Sequence, residues 1–230
     1  MFKVQTQKFH PVFDDSRDVW VFDLDNTLYP EKCNLFAQVD IKIGEYVQNL
    51  LGLSPDDARK VQKGYLLEHG TTLKGLMANH EIDPHHYLDH VHDIDFSPIT
   101  ADGQLRDLLS ALEGRKLVFT NADLTYAEKV LDRLGVADQF EAIFDIHAAE
   151  LEPKPKAAVY DKFITDHGID PNRAVMFEDM ARNLKPAHAL GMATVWVNTG
   201  SVWGQADHDP GFIHAETEIL TDWLHGFLNR

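Results

Sequence analysis

Five short apolar runs, separated by amphipathic stretches, constrain this chain more than any other feature. They fall at 19–22, 117–119, 142–144, 174–177 and 194–197. Each is too short for a buried helix and is rich in β-branched or aromatic residues, as strands covered on both faces are. Between them the period changes. Leu105, Leu108, Leu109 and Leu112 recur at helical spacing, as do Ala127, Val130, Leu131 and Leu134, with Gly135 as a C-terminal stop. Val159, Phe163 and Ile164 mark another helix; Leu184, Ala187 and Leu190 a fourth, closed by Gly191; Leu220, Trp223, Leu224 and Phe227 a last one. Strands alternating with helices predict an α/β fold: a Rossmann-like, doubly wound parallel sheet.

One stretch breaks the alternation. Residues 31–98 hold no convincing strand. Phe36, Val39, Ile43, Val47 and Leu50 trace one helix; Ser54-Pro55, followed by Asp56 and Asp57, reads as an N-cap, a first-turn proline and acids at the positive helix end. Asp83-Pro84 marks a further start. The expected division is a core of 1–30 and 99–230, with an all-helical insertion at 31–98 after the first strand.

Composition narrows the partners. With 21 Lys+Arg against 37 Asp+Glu, the formal net charge is −16. Nucleic-acid polymers and anionic membrane surfaces both require clustered cations, so neither is expected. Cys33 is the single cysteine, which excludes an internal disulfide and suits a reducing, cytoplasmic setting. The first eleven residues are polar and do not read as a signal peptide, and no apolar run approaches the ~20 residues of a membrane helix. Gly-rich dinucleotide and P-loop patterns are absent.

The chemistry is expected where strands end, because doubly wound sheets bind ligands beyond their carboxyl edge. The first strand runs into Asp23-Leu24-Asp25-Asn26-Thr27-Leu28. Two carboxylates two residues apart can divide labour: one ligates a hard cation and attacks an electrophile, the other moves protons. Alone, such a pair also describes a solvated loop. The second strand ends in Thr120-Asn121, suited to phosphate oxygens, and Lys154 stands between Pro153 and Pro155. The fourth ends in Glu178-Asp179, with Asn183 following. Acids, hydroxyl and lysine at successive strand ends form one constellation.

This set resembles the haloacid dehalogenase superfamily of aspartate-nucleophile phosphohydrolases. Asp23 to Leu28 match its first motif, Thr120 the second, Lys154 the third, and Glu178-Asp179 with Asn183 the fourth. The insertion resembles that superfamily's helical cap. Asp25-Asn26-Thr27-Leu28-Tyr29-Pro30, Phe36-Ala37-Gln38-Val39-Asp40, the run from Gly70 to Leu76, Val91-His92-Asp93-Ile94-Asp95 and Met176-Phe177-Glu178-Asp179-Met180 are similar to the pyrimidine 5′-nucleotidase branch. Asn121-Ala122-Asp123 departs from it, since a glycine more often follows the asparagine there.

The resemblance implies a Mg²⁺-dependent phosphomonoester hydrolase acting on UMP or CMP. It implies Asp23 as nucleophile, Asp25 as acid and then base, and Mg²⁺ held by Asp23, Asp25, Asp179 and, less directly, Glu178. Thr120, Asn121 and Lys154 would hold the phosphoryl group. The segment from Gly70 to Gly75 reads either as a substrate-facing loop with Thr71, Thr72 and Lys74 as donors or as a turn between helices. His86 and His90 have the spacing of zinc ligands on a helix, but no cysteine joins them and the stretch is acidic, so a polar face is expected, with His92 near the hinge. Trp196 and Trp203 are expected in the core. Rival readings are a phosphoglycolate-type or sugar-phosphate phosphatase, a phosphomutase, and a non-catalytic sensor of a phosphorylated metabolite. The expected assembly is a monomer or homodimer with a small-molecule partner.

Overall fold

The computed structural model describes residues 9–230; residues 1–8, most of the stretch read as lacking a signal peptide, lie outside the described residues. Six parallel strands form one sheet in the order β3-β2-β1-β4-β5-β6. They are β1 (Val19–Phe22), β2 (Arg115–Phe119), β3 (Ala142–Phe144), β4 (Ala174–Glu178), β5 (Ala193–Val197) and β6 (Ala215–Thr217). The five apolar runs are β1 to β5. The sixth strand pairs with β5 at one edge and has no apolar run because none of its three residues is buried, whereas β3 at the other edge ends in the buried Phe144.

Side chains alternate across the sheet and supply two cores. Trp20, Phe22, Val175, Phe177 and Val195 face α5 (Gly103–Ala111), α6 (Leu124–Leu134) and α9 (Leu220–Leu228). Val19, Val21, Leu117, Phe119, Met176 and Trp196 face α7 (Ala157–Asp166) and α8 (Ala181–Leu190). The stack of Phe22 on Phe177 (4.7 Å, 6°) binds the two central strands at the level of the site. Truncating such a buried ring to alanine costs about 3–5 kcal/mol.

Between β1 and α5 the longer elements are all helices: α1 (Leu35–Leu51), α2 (Pro55–His69), α3 (Thr72–Asn79) and α4 (Pro84–Val91). Local signals set most of the boundaries. The Ser54 side chain accepts from the Asp57 N–H, with Pro55 in the first turn, and Asp83 caps α4 in the same way through His85. Val39, Tyr46, Val47, Ala58, Leu73, Leu76, Tyr87 and Leu88 bury their side chains.

The segment from Gly70 to Gly75 is a turn followed by a helix. Gly70, at φ +90°, ends α2, and the Thr71 hydroxyl caps α3 by accepting from the Lys74 N–H. Gly75 is helical, so backbone freedom is not its purpose. A Cβ there would stand 2.3 Å from the Tyr65 ring, and α2 and α3 touch at this point because none is present. Trp196 is buried as expected, but Trp203 is half-buried, its ring beneath the Lys63 ammonium at 5.2 Å. His86 and His90 flank Tyr46, and among the described residues the three-acid group at the sheet edge is the one cluster with metal-ligand proximity.

The insertion is seated on the carboxyl edge of the sheet. Arg182, near the start of α8, donates to the Leu66 and Gly70 carbonyls at 2.9 and 3.1 Å. Lys74 pairs with Glu152 at 2.5 Å, and the Gly70 turn lies against the Lys154 carbonyl.

Candidate active site

Each acid of the constellation sits where a strand stops. Asp23 follows β1, and its N–H still joins the ladder by donating to the Phe177 carbonyl at 2.9 Å. Glu178 is the last residue of β4 and Asp179 the next. Thr120 follows β2, its N–H bonded to the Phe144 carbonyl and its hydroxyl accepting from the Ala122 N–H. Parallel pairing of β1 with β2 and β4 brings Asp23, Thr120 and Glu178, far apart in sequence, to one edge.

Lys154 organises the centre. Only 1% exposed, its ammonium donates to Asp23 Oδ1 and Glu178 Oε1, both at 2.8 Å, and to the Phe119 carbonyl at 2.7 Å. Asn121 aligns it: its side-chain oxygen accepts from the Lys154 N–H at 2.9 Å. Glu178 is held by Asn183 Nδ2 at 2.6 Å and by the Met180 N–H at 2.7 Å. Thr27 donates to Asp23 Oδ2, and the Trp196 indole donates to the Asp179 carbonyl at 2.8 Å.

Charge in this centre is unbalanced. Asp23, Glu178 and Asp179 are buried against a single ammonium. Burial, followed by the Glu178 charge, lifts the Asp23 carboxyl to about 7 despite Lys154. Burial, Glu178 and Asp23 push Asp179 well above the usual carboxylate range. Burial alone would lower the Lys154 pKa; Asp23 and Glu178 outweigh it and hold the ammonium above its ordinary value.

Ligand oxygens of Asp23, Glu178 and Asp179 all lie within 4.8 Å of one another. An all-oxygen set with surplus negative charge suits a hard divalent cation, so these residues fit Mg²⁺.

Asp25 is separate from this cluster. Its Oδ1 accepts from the Tyr29 and Tyr126 hydroxyls at 2.5 and 2.7 Å. Burial raises its pKa, and the two tyrosines oppose the rise. Neither tyrosine was among the expected site residues. Tyr29, four residues past Asp25, stood inside a quoted motif; Tyr126, 101 residues away, left no local signal.

Of the expected substrate donors, Thr72 is buried and its hydroxyl donates to the Gln62 carbonyl, Thr71 caps α3, and Lys74 is paired with Glu152. The segment meets the acid–lysine cluster through the Gly70 turn, beside Lys154. A cavity of about 880 Å³ lies to one side, lined by Asn26, Tyr29, Thr199 and Asp222 among others, and the buried carboxylates do not line it.

The arrangement has clear relatives. A family model for haloacid dehalogenase-like hydrolases matches residues 18–191. Phosphate metabolism protein 8 of Saccharomyces cerevisiae is 29% identical over 212 residues; the match spans 84% of this chain and 65% of that protein. Among solved structures, CbbY of Rhodobacter sphaeroides, determined with phosphate, superposes with a TM-score of 0.64 at 16% identity, over 92% of this chain and 99% of that one. The HAD hydrolase YfnB of Bacillus subtilis, determined with magnesium, superposes at 0.61 and 16% identity, over 93% and 99%. These likenesses show a shared fold. With its family model covering the sheet from β1 to the end of α8, the chain belongs to the haloacid dehalogenase-like hydrolases.

Proposed function

We propose that this hydrolase is a Mg²⁺-dependent phosphomonoesterase, and within that class a pyrimidine 5′-nucleotidase acting on UMP and CMP. The observation that carries the first part is the Lys154 ammonium, held 2.8 Å from both Asp23 and Glu178 beside Asp179, with Asp25 on the same strand end. A buried nucleophile next to a fixed cation, with a second carboxyl free of the cluster, is what phosphoryl transfer through a covalent intermediate requires. The likeness of the segments around Asp25, Gly70 and Glu178 to the nucleotidase branch supports the second part.

In this reading an Asp23 oxygen bonds to phosphorus as the ester P–O bond breaks. The leaving oxygen keeps the bonding pair and takes a proton from Asp25. Asp25 then removes a proton from water, whose oxygen attacks the phosphorus; the acyl-phosphate P–O bond breaks and frees Asp23. Thr120 and the Asn121 N–H hold phosphoryl oxygens, and Lys154 offsets their charge. Asp23, Asp179 and the Asp25 carbonyl would hold Mg²⁺, with Glu178 behind them; bound there, it supplies positive charge to the transferring group. The insertion acts as a cap, and its Gly70–Thr71 turn, flanked by Thr72 and Lys74, meets the leaving group. A single cysteine keeps a reducing, cytoplasmic setting in this reading.

A phosphate-release screen with Mg²⁺ over nucleoside monophosphates, sugar phosphates, phosphoglycolate and p-nitrophenyl phosphate tests both parts. UMP and CMP should lead, EDTA should silence the reaction, and Asp23→Asn should abolish it with the fold intact. Preference for a sugar phosphate or phosphoglycolate would defeat the nucleotidase assignment. No release from any substrate would defeat the phosphatase and favour a binding protein.

A further inference from the structure

Asp25 is gripped more firmly than its place in a turn requires. Two hydroxyls, one from the turn after β1 and one from α6, converge on one oxygen, Oδ1, at 2.5 and 2.7 Å, and they lie 3.4 Å from each other. Both rings are buried, Tyr29 at 2% and Tyr126 at 1% exposure, so neither hydroxyl swings freely. Hydrogen bonds to an ionised carboxylate are the strong kind, and two on one oxygen fix the rotation of the group. The proton handled in turnover then belongs to the other oxygen, Oδ2, whose direction the tyrosines set.

Tyr126 is itself set from the insertion. It occupies the first turn of α6, where Asp123 Oδ1 accepts its N–H at 2.9 Å. The other oxygen of Asp123 pairs with His92 Nδ1. His92 ends α4, where the insertion turns back to the core, and its ring stacks on Tyr126 at 4.3 Å and 24°. Phe96, on the same returning segment, packs on the Tyr126 ring from 5.6 Å. A continuous set of contacts therefore runs from the return point of the insertion, through one buried ring, to the carboxyl that moves protons.

We propose that Tyr29 and Tyr126 are positioning residues for Asp25, and that His92 sets Tyr126, so that the placement of the insertion is felt at the acid–base group. This rests on the phosphomonoesterase reading above. A misdirected general acid is felt by leaving groups that need a proton and much less by those that depart as stable anions. The test compares kcat/KM for an alkyl phosphate such as UMP with kcat/KM for p-nitrophenyl phosphate. For Tyr126→Phe and Tyr29→Phe, the alkyl-to-aryl ratio should fall about 10- to 100-fold, the range of one hydrogen bond to a charged group. His92→Ala should shift the ratio in the same direction by a smaller factor.

Loss of folded protein lowers both substrates together and leaves the ratio untouched, so the ratio reads position and not stability. An unchanged ratio in both tyrosine variants overturns the positioning role. A normal ratio in His92→Ala, with the tyrosine variants affected, overturns the link to the insertion. A wild-type protein inactive on both substrates removes the phosphomonoesterase reading and this inference with it, whereas an active wild type with unshifted variants removes only the inference.

Discussion

Replacing Lys154 with methionine keeps the length of the side chain and removes its charge. Three acceptors lose their donor: Asp23 Oδ1 and Glu178 Oε1 at 2.8 Å, and the Phe119 carbonyl at 2.7 Å. All three lie in a site where the lysine is 1% exposed, so water cannot substitute without opening the edge of the sheet. Breaking a buried ion pair by removing one partner costs about 3–5 kcal/mol. For a chain of 230 residues, each kcal/mol moves Tm by about 2–4 °C, so the variant should melt about 6–20 °C below wild type at pH 8 in chelator. The deficit should shrink as pH falls. Asp23 already titrates near 7 beside the lysine, and without that cation its folded-state pKa rises further above the unfolded value. The folded variant then binds more protons than the unfolded chain, and its stability grows as pH drops through the folded pKa. Circular-dichroism melts of both proteins at pH 8 and pH 6 check this. Equal Tm values at pH 8, or a deficit that widens at pH 6, would refute the claim that Lys154 balances the buried acids.

Three further outcomes follow from the same kind of accounting. Asp179→Asn removes a carboxylate that burial and its neighbours already disfavour, so in chelator it should gain about 0.5–2 kcal/mol while the rise in Tm on adding Mg²⁺ shrinks; a lower Tm in chelator would contradict the like-charge argument. Gly75→Ala adds about 1 kcal/mol of helix propensity but places a Cβ 2.3 Å from the Tyr65 ring. Overpacking of about 1–3 kcal/mol should leave it no more stable than wild type in urea, and a clear gain would show that the α2–α3 contact yields easily. His214 is pushed down to about 4 by burial and the neighbouring His188, His10 and Arg17, so it stays neutral when folded while the unfolded chain protonates from about 6.5. Stability should therefore fall between pH 6.5 and 4, by about 1–2 kcal/mol after solvent screening, and His214→Gln should flatten the slope of Tm against pH; equal slopes would exclude the effect.

Much of the candidate site was legible in the sequence because a parallel sheet converts sequence order into place. A strand end is visible as the point where an apolar run meets polar residues. Asp23, Thr120, Glu178 and Asp179 each stand at such a point. The helix starts at Pro55 and Pro84 were equally plain, since capping is a matter of a few adjacent residues. The segment before α3 stayed open between a loop and a turn because a glycine such as Gly75 has two physical uses, backbone freedom and close packing. Only the approach of Tyr65 distinguishes them. Strand β6 was silent because none of its three residues is buried, so nothing there requires an apolar run.

By itself, then, the sequence determined the alternation that makes the sheet, the helical stretch after the first strand, and the acids at the strand ends, with Lys154 in the turn before α7. These follow from periodicity and local capping, which act over a few residues. Only the tertiary structure decided that Lys154 bridges Asp23 and Glu178, that Arg182 holds the carbonyls at the end of α2, and that Tyr29 and Tyr126 share one oxygen of Asp25. Most of these contacts join residues from 24 to 131 positions apart, placed within hydrogen-bond reach by packing across the sheet and its helices. No local pattern records such a distance.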